Sequence, residues 1–329
     1  LVLILWALQA SGESTLQKLE REIAEVVAKV RPCVVQVRAD GLQLSGICWD
    51  RHGHVVTAAS GVDGAREISV SDAGRRLPAR HLASDRRTGV SVLHVEGVQA
   101  AGPLPAPGVP KEGLTALVIG NAFGLRGSVS LGTLAGTGCS VLVEGLKFEN
   151  LLQFQVAAQP GDGGGFVADS SGRLLGMLHS ATAAAEDQIS DLRGLLVPGP
   201  ARRAPAVAYA VPTAWIRFSA DRIIRHGRMI RGWMGASLLP AGDAVRTTLG
   251  LAPGEGAEVV RVERDSPARR AGLEAKDVLL SFDGSPVGDL EALQWKVAAV
   301  EEPVTVKIVY FRDRERRASD LRIEIDPQR

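Results

Sequence analysis

Leu16, Leu19, Ile23, Val26, Val27 and Val30 recur three or four residues apart until Pro32 interrupts them, and this spacing predicts one amphipathic helix. Ser14, with Gln17 three residues later, has the form of its capping box. After Cys33 the period shortens. Runs rich in β-branched residues, separated by Gly, Pro and Asp turns, predict strands at Val34–Arg38, Leu44–Trp49, His54–Ala58, Glu67–Val70, Val90–Val95, Thr115–Ile119, Val129–Ala135 and Leu174–His179. Strands so spaced read as a barrel or sandwich. Ala101–Pro110 is too proline-rich for an internal strand, and Ala183–Ala206 is a second irregular stretch. Thr213–Arg228 reads as a helix with Thr213 as its cap. The last block alternates strands near Trp233–Leu239, Ala257–Glu263, Val278–Phe282, Val304–Phe311 and Leu321–Ile325 with helices at Pro267–Ala271 and Asp289–Val300, a compact α+β domain.

Composition narrows the partners. The 329 residues suffice for two domains. Lys+Arg number 38 against 37 Asp+Glu, so no global field favours nucleic acid. Cys33, Cys48 and Cys139 lie far apart without CxxC, and the six His show no ligand spacing, which argues against a metal, a cofactor held by such ligands, or a disulfide framework. Leu1–Leu8 is apolar and followed by small and polar residues, the pattern of the end of a secretory leader; eight residues are too short to span a bilayer. Export, to a periplasm or outside the cell, is the expectation.

Seven segments in order carry a resemblance: VRPCVVQV (30–37), SGICWDRHGHVVTAASGV (45–62), SDRRTGVSVLHV (84–95), VIGNAFGLRGSVSLGTLAG (118–136), QPGDGGGFVADSSGRLLGM (159–177), YAVPTAWIRFSADRIIRHGRMIRGWMGASL (209–238) and GAEVVRVERDSPARRAGLEAKDVLLSFDG (256–284). Together they resemble the HtrA/Deg family of exported serine proteases. The resemblance implies a mostly β fold, a chymotrypsin-like double β-barrel followed by an α+β PDZ domain. The implied boundaries are 1–12 for the apolar leader, 13–31 for the N-terminal helix, 32–218 for the protease domain, 219–230 for the end of a linker helix and 231–329 for the PDZ domain.

A serine protease needs a Ser nucleophile, a His to take its proton and an Asp to orient the His. By the resemblance, the His slot holds Ser60, the Asp slot Gly89 and the nucleophile slot Gly163. None carries the required side chain. His52 and His54 stand at the opposite end of their strand from Ser60, about 15 Å or more along an extended chain, too far for a proton transfer over roughly 3 Å. Asp162 is a poor nucleophile toward an amide. Gly161, Asp162 and Gly163 are expected to keep the form of a vestigial oxyanion loop.

The C-terminal domain keeps its chemistry. By the resemblance, Trp233, Met234, Gly235 and Ala236 form a carboxylate-binding loop, and the strand from Ser237 pairs with a peptide as an added strand. Leu290, Leu293 and Val297, at i, i+3 and i+7, line its pocket or pack the core; periodicity does not separate the two. Arg312, Arg314, Arg316, Arg317 and Arg322, interleaved with acids, read as a solvated turn. The expected function is that of a pseudoprotease: an adaptor, chaperone-like binder or regulator that takes C-terminal or extended peptides, apolar at the end. It is expected alone, as a homotrimer, or beside an active paralogue. The alternative is an endopeptidase with a rearranged site.

Overall fold

The computed structural model describes residues 14–72, 74–98, 102–103, 105, 108–143, 146–179 and 207–326. The expected leader at 1–12 and the irregular stretch 183–206 lie outside them. The chain divides into two compact units, Leu1–Met229 and Ile230–Arg329.

The first unit opens with α1 (Thr15–Val30), whose capping box closes both ways between Ser14 and Gln17. Val26, Val27 and Val30 are buried, while Leu16 and Leu19 of its first turns stay exposed. Strands β1 (Val34–Ala39), β2 (Leu42–Cys48), β3 (His54–Ala58), β4 (Ile68–Asp72), β5 (Arg75–Pro78), β6 (Arg80–Asp85) and β7 (Val90–His94) then form one antiparallel sheet in the order β5-β4-β1-β2-β3-β7-β6. Asp40 and Gly41 both have positive φ, the two-residue turn whose twist suits the β1–β2 hairpin. Val35, Val37, Val55, Val70 and Leu93 fill the sheet's core. Cys48 is wholly buried there, and burial first, with Asp72 and Cys33 adding, pushes its thiol up to about 12.

Strands β8 (Thr115–Gly120), β9 (Ser128–Val143), β10 (Leu146–Gln155), β11 (Phe166–Ala168), β12 (Leu174–Leu178) and β13 (Val207–Pro212) close a barrel in the order β10-β13-β12-β11-β8-β9. The fold class is therefore as expected in outline, with the closed hydrogen-bonded ring confined to this second sheet. Helix α2 (Thr213–His226) follows. Thr213 does not cap it: its hydroxyl donates to the Leu174 carbonyl at 2.5 Å, and Pro212 holds the cap position. Ser219, Ala220 and Ile223 of this helix are buried within the first unit. The Ser219 hydroxyl donates to buried Asp85 at 2.7 Å and lies 3.1 Å from the Thr88 hydroxyl, which ties α2 to the turn leading to Gly89.

The second unit contains β14 (Gly232–Trp233), β15 (Ala236–Pro240), β16 (Ala257–Val262), β17 (Val278–Phe282), β18 (Ser285–Pro286), β19 (Val304–Arg312) and β20 (Glu315–Ile325). Their order is β14-β20-β19-β17-β16-β15, with β18 on β17, so β15 is an edge strand. Helices α3 (Asp243–Leu249), α4 (Pro267–Arg270) and α5 (Leu290–Ala298) accompany the sheet. Arg312 corrects the reading of a solvated turn. Its Nε and Nη2 donate to the two oxygens of buried Asp277 at 2.7 and 2.6 Å, a bidentate pair that fixes the end of β19.

Candidate functional site

Ser60 sits in the single turn Ala59–Gly61 after β3 and is exposed. The residue before it, Ala59, donates its N–H to the Gly89 carbonyl at 2.8 Å. The first two slots are thus joined through backbone. Gly163 completes the set: its carbonyl accepts from Ser45 N–H at 2.8 Å, and the N–H of the next residue, Gly164, donates to Leu178 at 2.8 Å. A Cβ on Gly164 would lie 2.1 Å from the Ser45 carbonyl oxygen and 3.1 Å from Ala58 N, so the glycine loop lies directly against the end of β3. The structure therefore brings the segments carrying Ser60, Gly89 and Gly163 next to one another, and we call this junction the cleft.

Buried polar side chains hold the loop. Asn121 Nδ2 donates to the Val35 carbonyl at 2.9 Å and to Ser45 Oγ at 3.2 Å, and Ser45 Oγ donates to the Gly161 carbonyl at 2.8 Å. Asp162 Oδ2 accepts from Gln159 N–H at 2.9 Å and Oδ1 from the Ser128 hydroxyl at 3.3 Å. Burial raises the Asp162 carboxyl above its ordinary range, with these bonds opposing. A Cβ on Gly120 would lie 2.4 Å from Asp162 Oδ1, so this carboxyl is packed beneath the loop as its anchor.

Gly161 has φ +100, and a Cβ there would lie 2.4 Å from the Asn121 carbonyl oxygen; only glycine fits without backbone movement. Among the described residues, neither Gly161 nor Gly163 has a protein acceptor for its N–H. Such donors suit a developing oxyanion. Gly164→Ala, with backbone contacts at 2.1 Å and φ +84, is expected to destabilise the first unit by about 3 kcal/mol or more, read as a fall in its denaturant midpoint.

One residue of this cleft escaped the sequence reading. His179, just past β12, is buried beside Gly89: a Cβ on Gly89 would lie 2.6 Å from its Nε2 and 2.9 Å from its Cδ2. Its ring stacks at a tilt on Phe148, centroids 4.3 Å apart, and Nδ1 has no partner among the described residues. Burial pushes the imidazole down to about 4, so it is neutral at ordinary pH. His54 is engaged elsewhere, with Nδ1 2.7 Å from Asp50 Oδ2 and its ring edge-on to His94.

In the second unit, Gly235 has φ +73, and a Cβ there would lie 2.2 Å from Ser266 Cβ. The Met234 and Gly235 carbonyls accept from Ala268 and Glu263, which turns the segment into β15. Among the described residues β15 pairs only with β16, which leaves its other edge unpaired from Ala236 through Ser237 onward. Trp233 is half-buried and Met234 buried. Leu293 and Val297 belong to the domain core, whereas Leu290 is only partly buried against it. The core alternative thus describes two of the three positions offered for the pocket.

No described group of three or more His, Cys, Asp or Glu is placed to hold a metal, and no described helix is long and apolar enough to cross a membrane.

Comparison with known proteins matches residues 44–177 to the trypsin-like peptidase domain and 232–323 to the PDZ domain. The probable periplasmic serine endoprotease DegP-like of Brucella suis biovar 1 is 29% identical over 262 residues, covering 78% of this chain and 48% of that protein. Its counterpart in Rhizobium meliloti is 27% identical over 289 residues, 87% of this chain and 53% of that one. The chain spans about half the length of these curated relatives. Among solved structures, the HtrA-type protease AlgW with tripeptide superposes with TM-score 0.77 at 25% identity, covering 93% of this chain and 98% of that one. With a match to the trypsin-like peptidase domain followed by one to the PDZ domain, the chain is similar to the HtrA/DegP-type peptidases.

Proposed function

We propose that this chain is a non-proteolytic member of that group, an adaptor or regulator that binds peptides through its second unit and acts in the periplasm or another exported compartment. The observation that carries the reading is what stands at the three assigned slots: Ser60, Gly89 and Gly163, whose backbones neighbour one another, offer none of the imidazole, carboxylate and nucleophilic serine that the assignment requires there. Loss of Ser or His alone costs about 2 × 10⁶ in kcat in a well-studied protease of this chemistry. On this assignment all three groups are replaced, by Ser60, Gly89 and Gly163. Full-length protein is therefore expected to take no label from a fluorophosphonate probe. Stoichiometric labelling that disappears on denaturation would establish the second reading, a rearranged endopeptidase. What favours that second reading is the pair of N–H groups on Gly161 and Gly163 that have no acceptor among the described residues.

Peptide capture rests on the edge position of β15 and the turn at Gly235, the places where a PDZ domain adds a peptide strand and offers backbone N–H groups to its terminal carboxylate. The relatives' names support export, and the peptide-bound AlgW structure supports a peptide as ligand. Homotrimers and pairing with an active paralogue are further proposals, tested by mass measurement of the purified chain and by recovery from its host. Gly235→Ala is expected to weaken binding of apolar C-terminal peptides at least about tenfold in fluorescence anisotropy, since the new Cβ meets Ser266 and distorts the turn.

A further inference from the structure

Gly89 in the acid slot is more than a lost carboxylate. A deletion from Asp to Gly in an interior leaves a void, and voids in packed interiors are rare and destabilising. Here the space beside Gly89 is filled. His179 Nε2 and Cδ2 stand 2.6 and 2.9 Å from where a Cβ would be, and Phe148 Cε1 stands at 3.3 Å. The imidazole is 3% exposed and stacked on Phe148, so it has no open side toward which to swing.

We propose that His179 is the steric replacement for the missing acid, so that Gly89 and His179 form a matched pair that closes this side of the cleft as ordinary protein interior. The inference deepens the non-proteolytic reading and rests on its assignment of the slots. It explains why a neutral ring with an unpartnered Nδ1 is tolerated in the cleft: the ring serves by volume and by its stack on Phe148. It also means that the cleft cannot be re-armed one position at a time.

The test is a stability cycle in the full chain. Any L-residue at position 89 meets two obstacles, the positive φ of +74 and the ring. Gly64 separates them, because it has φ +78 with nothing within 4 Å of an added Cβ. Gly64→Ala thus reports the backbone alone and is expected to lower the melting temperature by about 2–4 °C. Gly89→Ala is expected to lower it by roughly two to three times as much in the native chain, and by no more than Gly64→Ala when His179→Ala is already present. Should His179→Ala not accumulate as folded protein, His179→Thr provides the same comparison. An equal loss from Gly89→Ala in both backgrounds, large or small, would overturn the pairing. Fluorophosphonate labelling of the native chain would sink the non-proteolytic reading and leave this cycle unchanged, so the two fail separately.

Discussion

The chain carrying Ser60→His, Gly89→Asp and Gly163→Ser together is expected to remain unlabelled by a fluorophosphonate, and to become labelled at position 163 only when His179→Ser is added. Ser60 is exposed, so an imidazole has room there. Position 163 lies on a loop whose neighbours Ser45 and Asn121 keep its shape. Position 89 is the obstacle. An Asp there tolerates the positive φ better than most residues, but its Cβ would stand 2.6 Å from His179 Nε2, and its carboxylate would have to occupy the ring's own volume. Replacing His179 with a small hydroxyl residue vacates that volume. Because an intact triad exceeds one lacking Ser or His by about 10⁶ in kcat, even imperfect restoration is expected to raise peptide hydrolysis roughly 10³-fold above the native chain. Equal labelling of the triple and quadruple variants would show that the ring yields. Labelling of neither, in folded protein, would show that the loop is not competent to present a nucleophile.

Acid is expected to unfold the first unit through the same imidazole. The folded value of about 4 lies below the ordinary 6.5, and burial is the cause. The unfolded chain therefore binds the extra proton first, between those two values. Stability attached to His179 is complete above about pH 6.5, falls as the pH drops toward 4, and levels off below it. At about 1.36 kcal/mol per pH unit the loss is on the order of 3 kcal/mol. Denaturant melts of the native chain from pH 7.5 to 4 are expected to show this slope, and His179→Phe, if it folds, is expected to lack that share of it. Every other titratable group is common to both proteins and cancels in the difference. Parallel curves for the two proteins would remove His179 as the source.

The three slots come from the resemblance of the short segments that carry them, and the structure puts Ser60 after β3, Gly89 before β7 and Gly163 in a run of glycines. His179 was not readable, since its role depends on Gly89, far away in sequence, and a single His after an apolar strand has no distinguishing pattern. Other omissions have physical causes. β5 and β6 expose Arg75, Arg76 and Arg80, so no alternation marks them. β10 breaks its pairing register at Phe148/Leu151 and again at Leu151/Gln153, which disrupts the period-two pattern. α3 buries none of its residues and thus has no apolar stripe. Thr213 has the identity of a cap, yet a tertiary partner, the Leu174 carbonyl, took its hydroxyl. In the second unit, core and pocket positions on α5 share one helical face, and only packing distinguishes Leu293 and Val297 from Leu290.

Cys48 gives the first unit an internal clock. The thiolate is the species that attacks an alkylating reagent, and a thiol at about 12 is ionised to only about one part in 10⁴ at pH 8. The side chain is also sealed beneath its sheet. Modification must wait for the sheet to open around the end of β2, where Cys48 pairs with Val55 of β3. In the limit of fast reclosing, the observed rate divided by that of an unfolded thiol equals the population of open molecules. A slow third mass tag, added after half-buried Cys33 and Cys139 have reacted, would thereby report the open fraction of this half of the molecule without touching the cleft.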